Sequence, residues 1–143
     1  AWKEIVGENA RLRQVPLAVF APRAGEVLLN IVFPTPLGNC GGALARVART
    51  PLDQAIVVAA AVVTPDSARG YAARVAVAGA GPRPIVKSAA FSGSSDWADV
   101  LAESVGAAAQ PLADYRGSAE YRREMAVLLA RRALLAAAKM VQP

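Results

Sequence analysis

Chemistry in a protein needs particular side chains, and this chain is poor in them. It has 143 residues, no histidine and a single cysteine, Cys40. Without His, neither a Ser-His-Asp nor a Cys-His nucleophile can be assembled, and the commonest metal ligand is missing. One thiol cannot build a thiolate zinc site or an internal disulfide, which makes a reducing cytoplasm the default compartment. Carboxylates could still act as acids and bases, but Asp53, Asp66, Asp96 and Asp99 show no paired spacing that argues for it. Two clusters remain. Arg46, Arg49 and Asp53 stand close together around Pro51, where Arg49 and Asp53 could form a charge-assisted pair across a turn. The second runs Asp114-Tyr115-Arg116-Gly117-Ser118-Ala119-Glu120-Tyr121-Arg122-Arg123, dense in groups that form ion pairs and caps.

The second cluster opens the longest regular stretch of the chain. Gly117 interrupts what precedes it, Ser118 is a good helix N-cap, and no Gly or Pro occurs from there to Met140. The pattern predicts a helix of about 20 residues, roughly 30 Å long. Met125, Leu128, Leu129, Ala133, Ala136 and Met140 recur at helical spacing as one apolar stripe, with Arg122, Arg123, Arg131 and Lys139 largely off it. Read this way, Arg116 and Tyr121 dock the start of the helix and do no chemistry.

Composition bounds the remainder. The length fits one domain. Hydrophobic residues make up 55% and mean hydropathy is +0.32, largely from Ala and Val. No apolar run reaches about 18 residues, so no membrane span is expected. The first residues lack the basic, apolar and small-residue order of a secretory signal. The net charge is +5, but the basic residues are scattered and aromatics supply only 6%, too few for stacking platforms. A solvated surface or a subunit contact is expected, and nucleic acid is not.

Along the chain, Arg11-Leu-Arg-Gln-Val15 alternates like a strand and stops at Pro16, and a turn spans Pro22 to Gly25. Residues 26–33 form a predicted strand rich in branched residues, ended by Pro34 and Pro36. Leu37 to Gly42 reads as a flexible link. Its glycines precede neither a helix start nor a Lys-Ser/Thr pair, so a phosphate loop is not indicated. Predicted strands follow at 43–48, 54–64 and 71–79, with a turn at Thr64 to Gly70 between the last two. Asp96 is the predicted N-cap of a helix from Trp97 to about Ala109, with Val100, Leu101, Val105 and Ala108 on its apolar face. The fold class is α+β: a mostly antiparallel sheet of three or four strands with C-terminal helices on one face.

Asp-x-Arg-Gly-Ser-Ala-x-Tyr-Arg-Arg at 114–123, followed by Arg131-Arg132-Ala133-Leu134, resembles the end of the flavin-binding (medium) subunit of molybdenum hydroxylases, the carbon monoxide dehydrogenase and xanthine dehydrogenase family. Arg46, Val47, Arg49, Asp53 and Ala55 match a second stretch of that subunit. The order of strand, Val-Pro-Leu, Gly25-Glu26, apolar strand and Pro is similar to its hand-over between subdomains. The resemblance implies residues 1–36 as a remnant or edge of the preceding FAD-binding subdomain and 37–143 as the C-terminal domain. It places Arg46 and Arg49 near the flavin, and Asp53, Asp114, Arg116, Gly117, Ser118, Tyr121 and Arg122 in structural roles. It further implies an Arg-containing apolar helix after Gly81-Pro82. FAD is the implied cofactor of the full subunit, but the two glycine-rich segments that wrap its pyrophosphate are not in this sequence, so this chain alone is expected to bind none. The implied partners are an upstream FAD-binding domain and molybdopterin-containing and iron–sulfur subunits, in an oxidoreductase whose active site lies elsewhere. The alternative is an interaction or oligomerisation module, self-associating and without FAD.

Overall fold

The computed structural model describes residues 13–16, 19–33, 38–68, 70–92 and 96–141. The chain divides into two compact units, Ala1–Phe33 and Pro34–Pro143.

In the first unit, Arg23 to Glu26 close a β-turn, with the Glu26 N–H donating to the Arg23 carbonyl at 3.0 Å and Gly25 at φ +82°. The Arg13 guanidinium grips the Glu26 carboxylate through Nε at 3.0 Å and Nη2 at 2.6 Å. Arg13, followed by the Arg23 backbone N–H, holds the Glu26 pKa below the ordinary carboxylate value. The predicted strand at 26–33 is absent, as is any strand at 13–15, and Arg11 and Leu12 lie outside the described residues. Branched composition favours a pleated, half-buried surface but cannot replace the ladder partner that makes a strand. No ladder among the described residues reaches this segment, and Phe33 stays 75% exposed.

The second unit is an antiparallel meander, β1 (Gly41–Val47), β2 (Val57–Asp66), β3 (Gly70–Ala78) and β4 (Ile85–Phe91), followed by α1 (Trp97–Ala108) and α2 (Ala119–Val141). The α+β class holds, with a four-stranded sheet. The fourth strand is 85–91, where the resemblance implied a helix. Branched Ile85 and Val86 suit a strand, Ile85 pairs with Val77, and Phe91 pairs with Tyr71 and stacks on it at 5.7 Å between ring centroids. Phe91 also lies parallel to Trp97 at 3.9 Å, which ties the strand to the start of α1.

One face of the sheet, with Ala59, Ala61, Val63, Ala73, Val75 and Val77, is buried under the helices. The contact is close because both sides are small. Along α2 the buried residues include Ala126, Ala130, Ala133 and Ala137, with Leu129, Leu134 and Val141. A Cβ at Gly41 would lie 1.9 Å from the Ala137 carbonyl oxygen. Gly41 and Gly42 are therefore the first residues of β1, and Gly41 seats the helix on the sheet instead of serving a flexible link. The predicted stripe on α2 is rotated for the same reason. It followed large side chains, whereas the sheet admits small ones, so Leu128 and Ala136 face out and Met140 is 62% exposed. On α1, Ala98, Leu101, Ala102 and Val105 are buried, while Val100 is exposed. Asp96 holds the N-cap position, where its carbonyl accepts from the Val100 N–H; its side chain makes no capping bond.

The start of α2 is capped by Ser118, whose Oγ accepts the Tyr121 N–H at 3.1 Å. The Glu120 carboxylate, bonded first to its own backbone N–H and then to the Ser118 hydroxyl, is held below its usual pKa. Ser118→Ala should lower the unfolding free energy by about 1 kcal/mol and Ser118→Gly by less. Urea denaturation checks this; equal and negligible shifts would remove the cap from the account. At the other end, Asn39 Nδ2 donates to the Val141 carbonyl at 3.1 Å.

Candidate functional site

The charged clusters around Pro51 and Asp114 meet at one end of the sheet. Asp114 and Gly117 exchange both backbone hydrogen bonds at 3.2 Å, closing a four-residue turn just before α2. Inside it, Asp114 Oδ1 accepts the Arg116 N–H at 2.8 Å, and Oδ2 accepts Arg116 Nη2 at 3.0 Å. Arg116 reaches on to Gln54 Oε1 at 3.1 Å.

Arg122 is the centre of this cluster. Its position is on the small-residue face of α2, one turn before Ala126, so its guanidinium points into the protein and is 5% exposed. Nη1 donates to the carbonyls of Ile56 at 3.0 Å and Gly79 at 3.2 Å. Nε reaches the Gly117 carbonyl at 3.4 Å, and Nη2 bonds Asp114 Oδ1 at 2.5 Å. A planar fork of five donors can meet acceptors in several directions, which an ammonium cannot do. Arg122 thus joins the start of β2, the end of β3 and the turn before α2. The expectation that it lies off the buried stripe is corrected: a buried Arg is stable here because each direction of the fork meets an acceptor. Arg116 sits nearer the surface and ties the turn to Gln54, so the deeper docking falls to Arg122. Tyr121 packs half-buried against the core, and its ring is 3.1 Å from where a Cβ at Gly117 would stand.

Around Pro51 the predicted Arg49–Asp53 pair is not among the ion pairs of the described residues. The Asp53 carboxylate instead accepts the Thr50 N–H at 3.1 Å, closing its own turn. Arg46 Nη2 donates to the Asp53 carbonyl at 2.6 Å and the Pro51 carbonyl at 3.3 Å. Arg46 therefore braces the β1–β2 connection, while Arg49 remains exposed at its rim. Arg49, Asp53, Gln54, Tyr115 and Arg116 line an open cleft of about 110 Å³. Tyr115 is 85% exposed, with the Arg116 guanidinium 5.7 Å from its ring centroid. Gln54 had no distinguishing pattern in the sequence, Gly79 was marked only as the end of a strand, and Tyr115 only as a member of the 114–123 cluster. Arg122 did: its spacing to Ala126, Ala130, Ala133 and Ala137 puts it on their face.

The Asp114 carboxyl is pulled from 3.8 to about 2, first by the Arg116 backbone N–H and then by the Arg122 and Arg116 side chains. A depressed folded-state pKa means the stabilisation is present above the unfolded value and is lost as pH falls toward the folded one. Between pH 3.8 and about 2 the wild type should therefore lose stability that Asp114→Asn never had. Acid denaturation of the two proteins checks this, and parallel curves across that window would contradict it. Comparison with the variant separates Asp114 from Glu26 and Glu120, which titrate in both.

No group of His, Cys, Asp or Glu among the described residues could hold a metal ion. The arrangement is a clamp with an open polar cleft beside it, and its carboxylates accept hydrogen bonds from backbone N–H groups and guanidinia.

Comparison with known proteins bears on this geometry. The family model described as CO dehydrogenase flavoprotein C-terminal domain matches residues 43–137. Among solved structures, carbon monoxide dehydrogenase from Hydrogenophaga pseudoflava lacking the Mo-pyranopterin moiety of its molybdenum cofactor has the same fold, with a TM-score of 0.66 at 24% identity over 76% of this chain. Reconstituted CO dehydrogenase from Oligotropha carboxidovorans gives 0.64 at 26% identity over 75%. Quinoline 2-oxidoreductase from Pseudomonas putida 86 gives 0.62 at 25% over 73%. This chain spans 40%, 40% and 39% of the respective matched chains. No curated protein sequence matches it significantly. The family match runs from β1 nearly to the end of α2 and takes in both clusters, so the chain belongs to the CO dehydrogenase flavoprotein C-terminal domain family.

Proposed function

We propose that this chain is the C-terminal domain of the flavin-carrying subunit of a molybdenum hydroxylase, supporting FAD-mediated electron transfer by packing beside the flavin and the partner subunits. The family match over residues 43–137 carries the reading. In this reading residues 1–36 are the edge of a preceding FAD-binding subdomain and 37–143 the C-terminal domain. The molybdopterin-containing and iron–sulfur subunits are its partners, in the cytoplasm. No helix among the described residues is long and apolar enough to cross a membrane.

The described residues do not fit a whole FAD. A cleft of about 110 Å³ is well below the 300–1,000 Å³ of small-molecule sites. It also offers no glycine-rich turn whose N–H groups could grip a pyrophosphate. Arg49, exposed at the rim, could meet only an edge of the flavin, while Arg46 beside it is committed to the turn. A few exposed contacts do not offset the roughly 4–15 kcal/mol lost on immobilising a ligand. Purified chain mixed with excess FAD and gel-filtered should therefore show no stoichiometric flavin absorbance in the protein peak. A one-to-one signal would make it a self-sufficient flavoprotein.

Reading the neighbouring DNA tests the proposal as a whole. An upstream in-frame segment encoding glycine-rich FAD-binding turns is expected, with adjoining genes for molybdopterin and two-iron ferredoxin subunits. A neighbourhood with neither would sink it.

A further inference from the structure

The two edges of the sheet are not alike. In the order β1-β2-β3-β4, β1 and β4 are the outer strands. An unpaired edge presents a row of free N–H and C=O groups, and proteins guard such edges with bulges, prolines or a charge turned inward. β4 is guarded in this way. Lys87 lies opposite Val75, which is fully buried, so the two share the face beneath the helices. A strand added beside β4 would have to enclose that ammonium. β1 has no such device. It pairs residue for residue with β2 from Gly41 to Val47, without a bulge or a proline, and its helix-side residues are Gly41, Ala43, Ala45 and Val47. Its one charged side chain, Arg46, is turned back onto the carbonyls of Pro51 and Asp53.

α2 borders this open edge. It packs mainly on β1 and β2, while α1 contacts β4 and one flank of α2. Val127 and Arg131 mark that flank: Val127 stands against Gly106 of α1, and Arg131 pairs with Asp99. Ala136 and Met140 each follow them by nine residues, about two and a half turns, and so lie on the opposite flank, toward β1. Both are exposed, Met140 by 62%.

A second copy of this chain completes both features. Antiparallel pairing of β1 with itself over its whole length puts Gly41 opposite Val47 and Leu44 opposite Leu44. Arg46 then falls opposite Gly42, which has no side chain to clash or repel, and the 65% exposed Leu44 is covered. Strands stand about 4.8 Å apart, so helices centred over β1 and β2 come within about 10 Å of each other across the dyad, the spacing of packed helices. We propose that two copies join β1 to β1 in one continuous sheet, with the Ala136 and Met140 flanks of α2 facing across the two-fold axis. The joined side is roughly 30 Å long and 15 Å high, about 450 Å² per copy, against roughly 800 Å² in a standard interface. The dimer is therefore weak and concentration-dependent. Arg132 and Lys139 border the flank on its solvent side, so screening by salt should tighten it. The pairing goes beyond the flavoprotein reading and does not depend on it.

Sedimentation of the 143-residue chain tests this. Dimer should grow with concentration, and more of it should form at about 1 M than at about 0.1 M salt. Leu44→Lys sets two ammonium groups opposite each other at an exposed position. It should weaken the dimer about tenfold or more while the chain stays folded by circular dichroism. Leu44→Cys in a Cys40→Ser background should cross-link on air oxidation, since paired residues stand about 4.5–5.5 Å apart, within disulfide reach. Val62→Cys in the same background, exposed one strand further from the axis, should not. A chain monomeric at every concentration overturns the proposal. So does a dimer that salt loosens, that Leu44→Lys leaves intact, or in which Val62→Cys cross-links as readily as Leu44→Cys.

Discussion

Arg122→Met should lower the unfolding free energy by about 3–5 kcal/mol, the range found when one partner of a buried charge network is removed. The loss has a definite origin. Methionine fills much of the volume, but the carbonyls of Ile56 and Gly79 lose the donor that reaches them from α2. The Gly117 carbonyl and Asp114 lose a donor as well. A buried acceptor left without a donor costs about 1–3 kcal/mol. Arg122→Lys should recover less than half of the loss, because one ammonium cannot span acceptors on three different segments. Arg123→Met, one residue along on the exposed side of the helix, should stay within about 0.5 kcal/mol of wild type. Urea titrations of the three variants check the series. An Arg122→Met protein within 1 kcal/mol of wild type would show that the clamp contributes little.

The second large effect is expected at Gly79. Its φ is +89°, and a Cβ there would stand 2.1 Å from the Ile56 carbonyl oxygen, the same oxygen that Arg122 holds. Gly79→Ala must therefore move either the end of β3 or the start of β2, and both moves pull on the clamp. The expected loss is about 3 kcal/mol or more, combining backbone strain with the clash. Gly38 separates the two contributions. Its φ is +82°, but nothing lies within 4 Å of its Cβ position, so Gly38→Ala carries only the conformational term, about 1–2 kcal/mol. Thermal or urea denaturation checks the pair, and equal losses at the two positions would remove the clash from the account.

Gly79 also shows what could be read from the sequence and what could not. A glycine closing an alternating apolar run marks the end of a strand, and β3 ends just before it. That the carbonyl of Ile56, the residue before β2, lies against it is a fact of register, which local pattern does not carry. The strands β1 to β3 were legible because their apolar runs are bounded by turn residues. Glu26 to Phe33 has an equally good pattern and forms no strand, since pairing belongs to two segments and the pattern describes one. The α2 stripe was traced through its largest side chains and came out rotated. Alanine scores low in hydrophobicity, yet it is the residue that lets a helix approach a sheet closely, as Ala137 does at Gly41. In the candidate site, the Asp114 to Arg123 motif stood out from residue types alone. Its partners Gln54, Ile56 and Gly79 lie 43 to 66 residues away in the chain, and no local pattern ties them to it.

The bond between Asn39 and the Val141 carbonyl spans 102 residues of sequence and 3.1 Å of space. The four strands and two helices thus leave from nearly the same point at which they begin. Such a unit is circularly permutable: a short peptide joining 39 to 141, with new ends opened in the β2–β3 turn, would preserve every strand pairing and helix contact. It is also a natural guest. A host protein could carry it in a surface loop, because the two ends of host chain need separate by no more than an Asn side chain and one hydrogen bond.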